Sequence, residues 1–178
     1  MTHFQRIGLL GTLDLPEVKE SLHKLEVFLV GQGRDVFYEK KTAEIVDWSV
    51  KNVLPISGFA DHIDLGIIVG GDGSMLSASR KMASLGIPLL GINRGRLGFL
   101  TDISPDEIEA RVLSVLQGEY KQTRRFMLET EVTRNGELIG NGTAVNDIAM
   151  HPGMSARMMT FELYVDNEFV YSQRSDGL

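Results

Sequence analysis

The sequence predicts an α/β fold: an N-terminal doubly wound, Rossmann-like parallel sheet followed by the start of a β-rich second domain. Up to about residue 120, short apolar runs that stop at glycine alternate with helical patterns. Such alternation is typical of buried parallel strands joined by helices. After Gly118 the pattern changes to alternating apolar and polar residues with tight-turn signals, which is typical of β-hairpins. We therefore expect two domains, residues 1–120 and 121–178.

The first strand is predicted at RIGLLG, Arg6 to Gly11, and a helix follows it. Pro16 suits the first turn of that helix, and spacings of four, three and four place one apolar stripe on it, at Val18, Leu22, Leu25 and Leu29. GQGRD ends the helix, and DVFYEK predicts the second strand.

The remaining elements of the first domain are predicted by sequence patterns of differing strength. Residues 41–62 are ambiguous, although AEIVDWSVKNVL could be helical before Pro55 breaks it. Strands are predicted at 65–69 and 88–92, with a helix at 74–85 between them. SPDEIEARVLSVLQG predicts a helix with Ser104 and Glu107 as a capping box and Gly118 at its end.

The second domain is predicted to begin with hairpins. MLETEVTR and TFELYVD alternate, and NGE and DNE supply turn residues. This stretch is too short to close a sandwich or a barrel, so we expect some of its apolar surface to lack cover.

The composition narrows the classes of function. The chain has 178 residues, a formal net charge of -6 and no cysteine. An acidic surface argues against nucleic acid as a partner, because phosphate binding favours basic residues. No secretory leader and no apolar run of about 20 residues is present, so we expect no membrane partner and a cytoplasmic location.

The stretch IIVGGDGSML places one acid, Asp72, among three glycines at the predicted carboxyl end of a strand. Ligands of open α/β sheets bind at that end, and glycines let a ligand approach the backbone. The amides near Ser74, at the start of the next helix, would favour a phosphate. Alternatively the glycines make only a tight turn and Asp72 caps the helix. The residues alone leave both interpretations open.

A second glycine-rich turn, GINRGRLGFLTD, follows the next strand, so both turns should face one crevice. Arg94 and Arg96 would add positive charge there, or else lie in a solvated loop. Phe99 offers a flat apolar face, although core packing is the simpler explanation for it. Known phosphate-binding and hydrolase fingerprints are absent, and the four histidines are scattered, so no residue is predicted to ligate a metal.

Four segments together resemble the bacterial NAD kinase (ATP-NAD kinase) family: GGDGSML, GINRGRLGFLTDI, AVNDIAMHPG and FVYSQRSDGL. The resemblance implies an enzyme that phosphorylates the 2′-hydroxyl of the adenosine ribose of NAD, giving NADP, with ATP and a divalent metal, Mg²⁺. It implies that Asp72 is the general base, that Gly73 lies against the nucleotide and that Phe99 packs near the adenine.

The resemblance also implies residues that hold the dinucleotide. Asn146 and Asp147 match the family's Asn-acid pair, in which the acid is Glu in many members. The other ligand-contacting positions implied are Arg157, Arg174 and Asp176.

Family members continue past SDGL, so we expect this chain to be an N-terminal portion and activity to belong to the intact protein. The resemblance implies a homo-oligomer. Two alternatives remain: another kinase with a GGDG turn, acting on a sugar or a lipid, and an NAD-binding fragment without turnover.

Overall fold

The computed structural model describes residues 4–95, 98–101, 103–153 and 158–178. The chain forms two compact units, Met1–Arg125 (unit 1) and Phe126–Leu178 (unit 2). Within the described ranges, no helix combines the length and the apolar character that crossing a bilayer requires.

Unit 1 contains a five-stranded sheet in the order β3-β2-β1-β4-β5, in which every neighbouring pair is parallel. This is the predicted doubly wound arrangement, and it confirms the fold class. The strands are β1 (Arg6–Gly11), β2 (Asp35–Glu39), β3 (Val53–Leu54), β4 (Leu65–Gly70) and β5 (Leu89–Asn93). The helices are α1 (Pro16–Gly31), α2 (Lys40–Ile45), α3 (Phe59–His62), α4 (Asp72–Met82) and α5 (Ile108–Gln117).

Helices cover both faces of this sheet because alternate strand residues point to opposite sides. Ile67 of β4 packs in a cluster with residues of α1 and α5, whereas its neighbour Ile68 packs with residues of α3 and α4. All six residues of β4 are buried. Continuous apolar strands therefore follow from burial on two faces, as the sequence predicts.

The predicted stripe of α1 is confirmed, since Val18, Leu22, Leu25 and Leu29 are all fully buried. The start of α5 differs from the predicted capping box. Residues 105–107 form a 3₁₀ turn, and the Ser104 hydroxyl donates to the Glu107 carboxylate rather than accepting from a backbone amide. Gly118 ends α5 in the left-handed conformation, as predicted.

Residues 46–54 of the ambiguous segment are not helical, so the helix suggested for AEIVDWSVKNVL is wrong beyond Ile45. Tertiary hydrogen bonds anchor the residues that follow. Trp48 Nε1 donates to Glu26 of α1 at 2.7 Å, and the Asn52 side chain donates to the Val36 carbonyl at 3.0 Å. These long-range contacts outweigh the local helical pattern.

Unit 2 contains two antiparallel hairpins, as predicted. One pairs β6 (Leu128–Arg134) with β7 (Glu137–Ala144), and the other pairs β8 (Met159–Val165) with β9 (Glu168–Ser175). Both turns have two residues with positive φ, Asn135-Gly136 and Asp166-Asn167. Asn, Asp and Gly tolerate this conformation, which explains the accuracy of the turn signals.

Candidate active site

The two glycine-rich turns lie at one edge of the sheet, as predicted. β4 and β5 are parallel neighbours, and their last residues, Gly70 and Asn93, are paired. The Arg94 amide then donates to the Gly70 carbonyl at 3.1 Å. The carboxyl ends of both strands therefore border the same crevice.

The crevice includes the point where the strand order reverses, between β1 and β4. The hydroxyls of Thr12, just after β1, and Ser74, in α4, are hydrogen-bonded to each other. A Cβ on Gly70 would lie 2.7 Å from Ser74 Cβ, so glycine is needed for this close approach. The Ser74 amide, which we expected to meet a phosphate, donates to the Gly71 carbonyl at 3.0 Å.

Asp72 is the first residue of α4, but its side chain does not cap that helix. Its carboxylate accepts hydrogen bonds from the turn of residues 98–101. Phe99 N lies 2.8 Å from Oδ2, Leu100 N lies 3.0 Å from Oδ1, and Thr101 Oγ1 lies 3.4 Å from Oδ1. The interpretation of Asp72 as a simple helix cap is therefore wrong.

These hydrogen bonds also favour the negatively charged form of Asp72. Donation by the Phe99 N–H, reinforced by that of Leu100, holds the pKa of the Asp72 carboxyl below its ordinary value, although desolvation opposes the effect. Asp72 is consequently ionised at neutral pH and acts only as a hydrogen-bond acceptor.

Two glycines that the sequence reasoning did not single out allow this turn to form. A Cβ on Gly98 would overlap the Asp72 carboxylate. A Cβ on Gly91 would lie 2.8 Å from Thr101 Cγ2 and 3.0 Å from the Leu100 carbonyl oxygen. The spacing of glycines in GINRGRLGFLTD was the signal that could have identified them.

The aromatic and basic residues of this turn differ from the simpler expectations. Phe99 is 92% exposed, so the core-packing interpretation is wrong. Arg94 is not in a solvated loop, because it donates to the Ser21 hydroxyl and to Glu20, both on α1. Arg96 lies outside the described residues.

A cleft of about 570 Å³ borders the same edge of unit 1, and sequence reasoning did not predict it. The start of α1 and the end of β5 line it, together with the 3₁₀ turn before α5: Leu15, Glu17, Val18, Asn93, Arg94, Gly95, Ser104 and Pro105. Of these residues, Arg94 was predicted to add positive charge to the crevice.

The other predicted site residues belong to unit 2. Asn146 and Asp147 are exposed in the loop after β7, Arg174 is exposed in β9, and Asp176 follows it. The segments that carry them run side by side, since Met150 and Leu178 exchange backbone hydrogen bonds of 2.8 and 2.9 Å. Arg157 lies outside the described residues.

A protein-built metal centre is not found in the described part of the chain, where no three His, Cys, Asp or Glu residues cluster suitably. Asp72 supplies anionic oxygen near the crevice, which suits a hard cation. Mg²⁺ in nucleotide sites is held largely by substrate phosphates and water, so the residues present are compatible with a metal that enters with a triphosphate.

The fold and the site together define a class: a doubly wound α/β unit with an ionised carboxylate in a glycine turn at the carboxyl edge of the sheet. Comparison with known proteins then gives the family. Residues 16–120 match the model of the ATP-NAD kinase N-terminal domain, and the chain belongs to this family.

Individual proteins agree with this assignment. The whole chain is 48% identical to the NAD kinase of Hahella chejuensis and spans 60% of that protein's length. Yeast NADH kinase, solved in complex with NADH, superposes with a TM-score of 0.83 at 22% identity, over 97% of this chain and 56% of the yeast chain. An NAD kinase from Archaeoglobus fulgidus, solved in complex with ATP, superposes with a TM-score of 0.70 at 24% identity, over 97% of this chain and 59% of that kinase. At these identities the two structures support the fold alone.

Proposed function

We propose that the complete gene product is an NAD kinase, which transfers a phosphoryl group from ATP to the 2′-hydroxyl of the adenosine ribose of NAD and so produces NADP. The observation that carries the proposal is the ionised Asp72 carboxylate, held at the carboxyl edge of the sheet in a chain of this family. The named activities of the similar proteins support the choice of substrates.

Asp72 is the proposed general base. Phosphoryl transfer depends mainly on positioning and charge neutralisation, with a group that orients the hydroxyl and takes its proton. A carboxylate within hydrogen-bond reach of the 2′-hydroxyl fits that role. Gly73 is exposed, and among the described residues a Cβ on it would meet nothing within 4 Å, so the turn leaves room for a nucleotide beside Asp72.

Other residues are proposed to hold NAD. The exposed ring of Phe99 suits stacking on the adenine, because aromatic faces gain from such contact. In unit 2, which we propose as the NAD-binding domain, the exposed polar groups would bind the ribose, phosphate and amide groups. These residues are Asn146, Asp147, Arg157, Arg174 and Asp176.

A divalent metal, Mg²⁺, is proposed as the cofactor. When bound, it would neutralise charge on the triphosphate and so make the γ-phosphorus more open to attack. The ionised Asp72 would favour the approach of this cation electrostatically, while its protein-side hydrogen bonds keep the carboxylate in place.

We also propose that the protein is cytoplasmic and forms a homo-oligomer. The absence of cysteine suits a reducing compartment. Exposed apolar side chains on the hairpins, such as Val132, Leu138 and Phe169, suit burial against another chain segment or another copy.

The deciding experiment is an assay of the purified gene product with ATP and Mg²⁺. NAD, fructose 6-phosphate and diacylglycerol would be offered in parallel, with NADP formation as the expected result. Phosphorylation of the sugar or the lipid instead would support the alternative kinase. NAD binding by calorimetry without NADP formation would indicate a binding protein, and the 60% coverage of the relatives makes this outcome worth testing for the 178-residue chain itself.

A further inference from the structure

The hydrogen bonds of Asp72 use its two oxygens unequally. Oδ1 accepts from both Leu100 N and Thr101 Oγ1, whereas Oδ2 accepts from Phe99 N. Each carboxylate oxygen has about two acceptor sites. Of these three bonds Oδ1 accepts two and Oδ2 accepts one, so Oδ2 is the less occupied oxygen among them.

The turn that makes these bonds depends on Gly98 for space. The Asp72 carboxylate occupies the position that a Cβ on Gly98 would fill. A side chain at this position would push the carboxylate or the turn aside, and the amides of the next two residues would lose their acceptor.

We propose that Gly98 is a positioning residue of the reaction, which lets the turn of residues 98–101 close on Asp72 and leaves Oδ2 as the oxygen that receives the substrate hydroxyl. The inference rests on the proposed kinase function. It goes further by naming the accepting atom and the residue that keeps it in place.

The first test compares two alanine variants of the complete gene product. Gly98→Ala places a methyl group against the carboxylate, whereas Gly31→Ala, at the exposed end of α1, would meet no described atom within 4 Å. Because misplacing a reacting group by about 1 Å can cost about 10²-fold, Gly98→Ala should lower kcat by roughly that factor. Its dissociation constant for NAD should change much less, and Gly31→Ala should retain near-normal kcat.

The second test asks whether Gly98 acts through Asp72. Gly98→Ala is introduced into the wild type and into the Asp72→Ala variant. The Asp72→Ala variant lacks the carboxylate with which the new methyl group would clash. The thermal midpoint should fall clearly in the wild type and much less in the Asp72→Ala background, because residues in contact give non-additive effects.

The two tests separate failure of this inference from failure of the proposed function. A wild type without kinase activity refutes the proposed function, while the thermal cycle still reports whether Gly98 and Asp72 are coupled. An active wild type whose Gly98→Ala variant has the same kcat as Gly31→Ala overturns the inference. Equal thermal shifts in both backgrounds overturn it as well, since Gly98 would then act through another contact.

Discussion

The strands of unit 1 and unit 2 differ in what covers them. All six residues of β4 in unit 1 are buried, whereas seven of the eight residues of β7 in unit 2 are exposed. Unit 1 carries its own cover, since the helices between its strands pack on both faces of the sheet. Each hairpin of unit 2 pairs only with itself in the described chain. Unit 1 therefore buries its sheet on both faces, while unit 2 presents exposed surface.

The largest effect is expected from Asp72→Asn in the complete gene product. Loss of the proposed base should lower turnover roughly 10²- to 10⁴-fold. The asparagine also has an NH₂ group in place of one oxygen. In either orientation this group would face the N–H of Phe99 or of Leu100, so the turn should loosen too. Steady-state kinetics and thermal unfolding would measure both effects.

Asp61→Asn is the matched control, because it changes an exposed carboxylate of unit 1 on α3. It should leave turnover and the thermal midpoint nearly unchanged. Normal turnover of Asp72→Asn would instead leave unit 1 with a structural carboxylate and no catalytic one.

The next effect contrasts the cores of the two units. Phe59 is fully buried under the sheet of unit 1, and Phe59→Ala should reduce the free energy of unfolding by about 3–5 kcal/mol. Phe169 of unit 2 is 58% exposed, and Phe169→Ala should stay within about 0.5 kcal/mol. Chemical denaturation of both variants would measure the difference. Similar losses of unfolding free energy in the two variants would mean that Phe169 is buried in solution, as Phe59 is.

The sequence predicted unit 1 well where local pattern and tertiary burial agree. The α1 stripe and the β4 run are examples, because the periodicity that identifies them is created by the same burial that stabilises them. The segment after Ile45 was misread because the bonds of Trp48 and Asn52 reach distant residues. No local pattern contains that information.

The candidate site was also predictable only where a local sequence pattern marks it. Asp72 stood out among its glycines, and parallel strands placed both turns at one edge. The bonds from Phe99 and Leu100 to Asp72 span more than 25 residues and depend on backbone amides, which every residue type has. Their trace in the sequence is the absence of a side chain at Gly91 and Gly98, where a Cβ would strike this turn or the Asp72 carboxylate.

A moderate effect is expected from Asp147→Ala in unit 2. Loss of one hydrogen bond from a charged group costs about 1.5–3 kcal/mol, so NAD affinity should fall roughly 10- to 150-fold. Calorimetry with NAD would measure it. Glu131→Ala, an exposed change on β6, is the control and should bind NAD normally. An unchanged dissociation constant for Asp147→Ala would leave that residue as ordinary loop structure.

A smaller effect concerns the uncovered surface of the hairpins. Val132, Leu138, Phe169 and Val170 are each at least half exposed. The 178-residue chain should therefore bind a hydrophobic dye or self-associate, as measured by fluorescence and sedimentation. Replacing Phe169 and Val170 by threonine should reduce both signals. A monomeric chain with weak dye fluorescence would show that the apolar side chains of unit 2 are not accessible in solution. The difference in burial between the two units would then disappear.

The smallest effect is a pH dependence that arises from an ion pair of unit 1. The Arg6 guanidinium, with Nη2 2.6 Å from Asp64 Oδ1, holds the pKa of the Asp64 carboxyl below its ordinary 3.8, and the amides of Arg6 and Gln5 add to this. A carboxyl with a lowered folded-state pKa stabilises the fold fully above its unfolded pKa, and the contribution is lost as pH falls through the folded value. Stability should therefore decline from about pH 4 downwards, and Asp64→Asn should be less stable than the wild type at pH 7 but show a shallower acid decline. Thermal midpoints measured between pH 7 and pH 2 would test this, with Glu131→Gln of unit 2 as the control that keeps the wild-type slope. Parallel acid profiles for Asp64→Asn and the wild type would show that the ion pair at the start of β1 contributes nothing to the stability of unit 1.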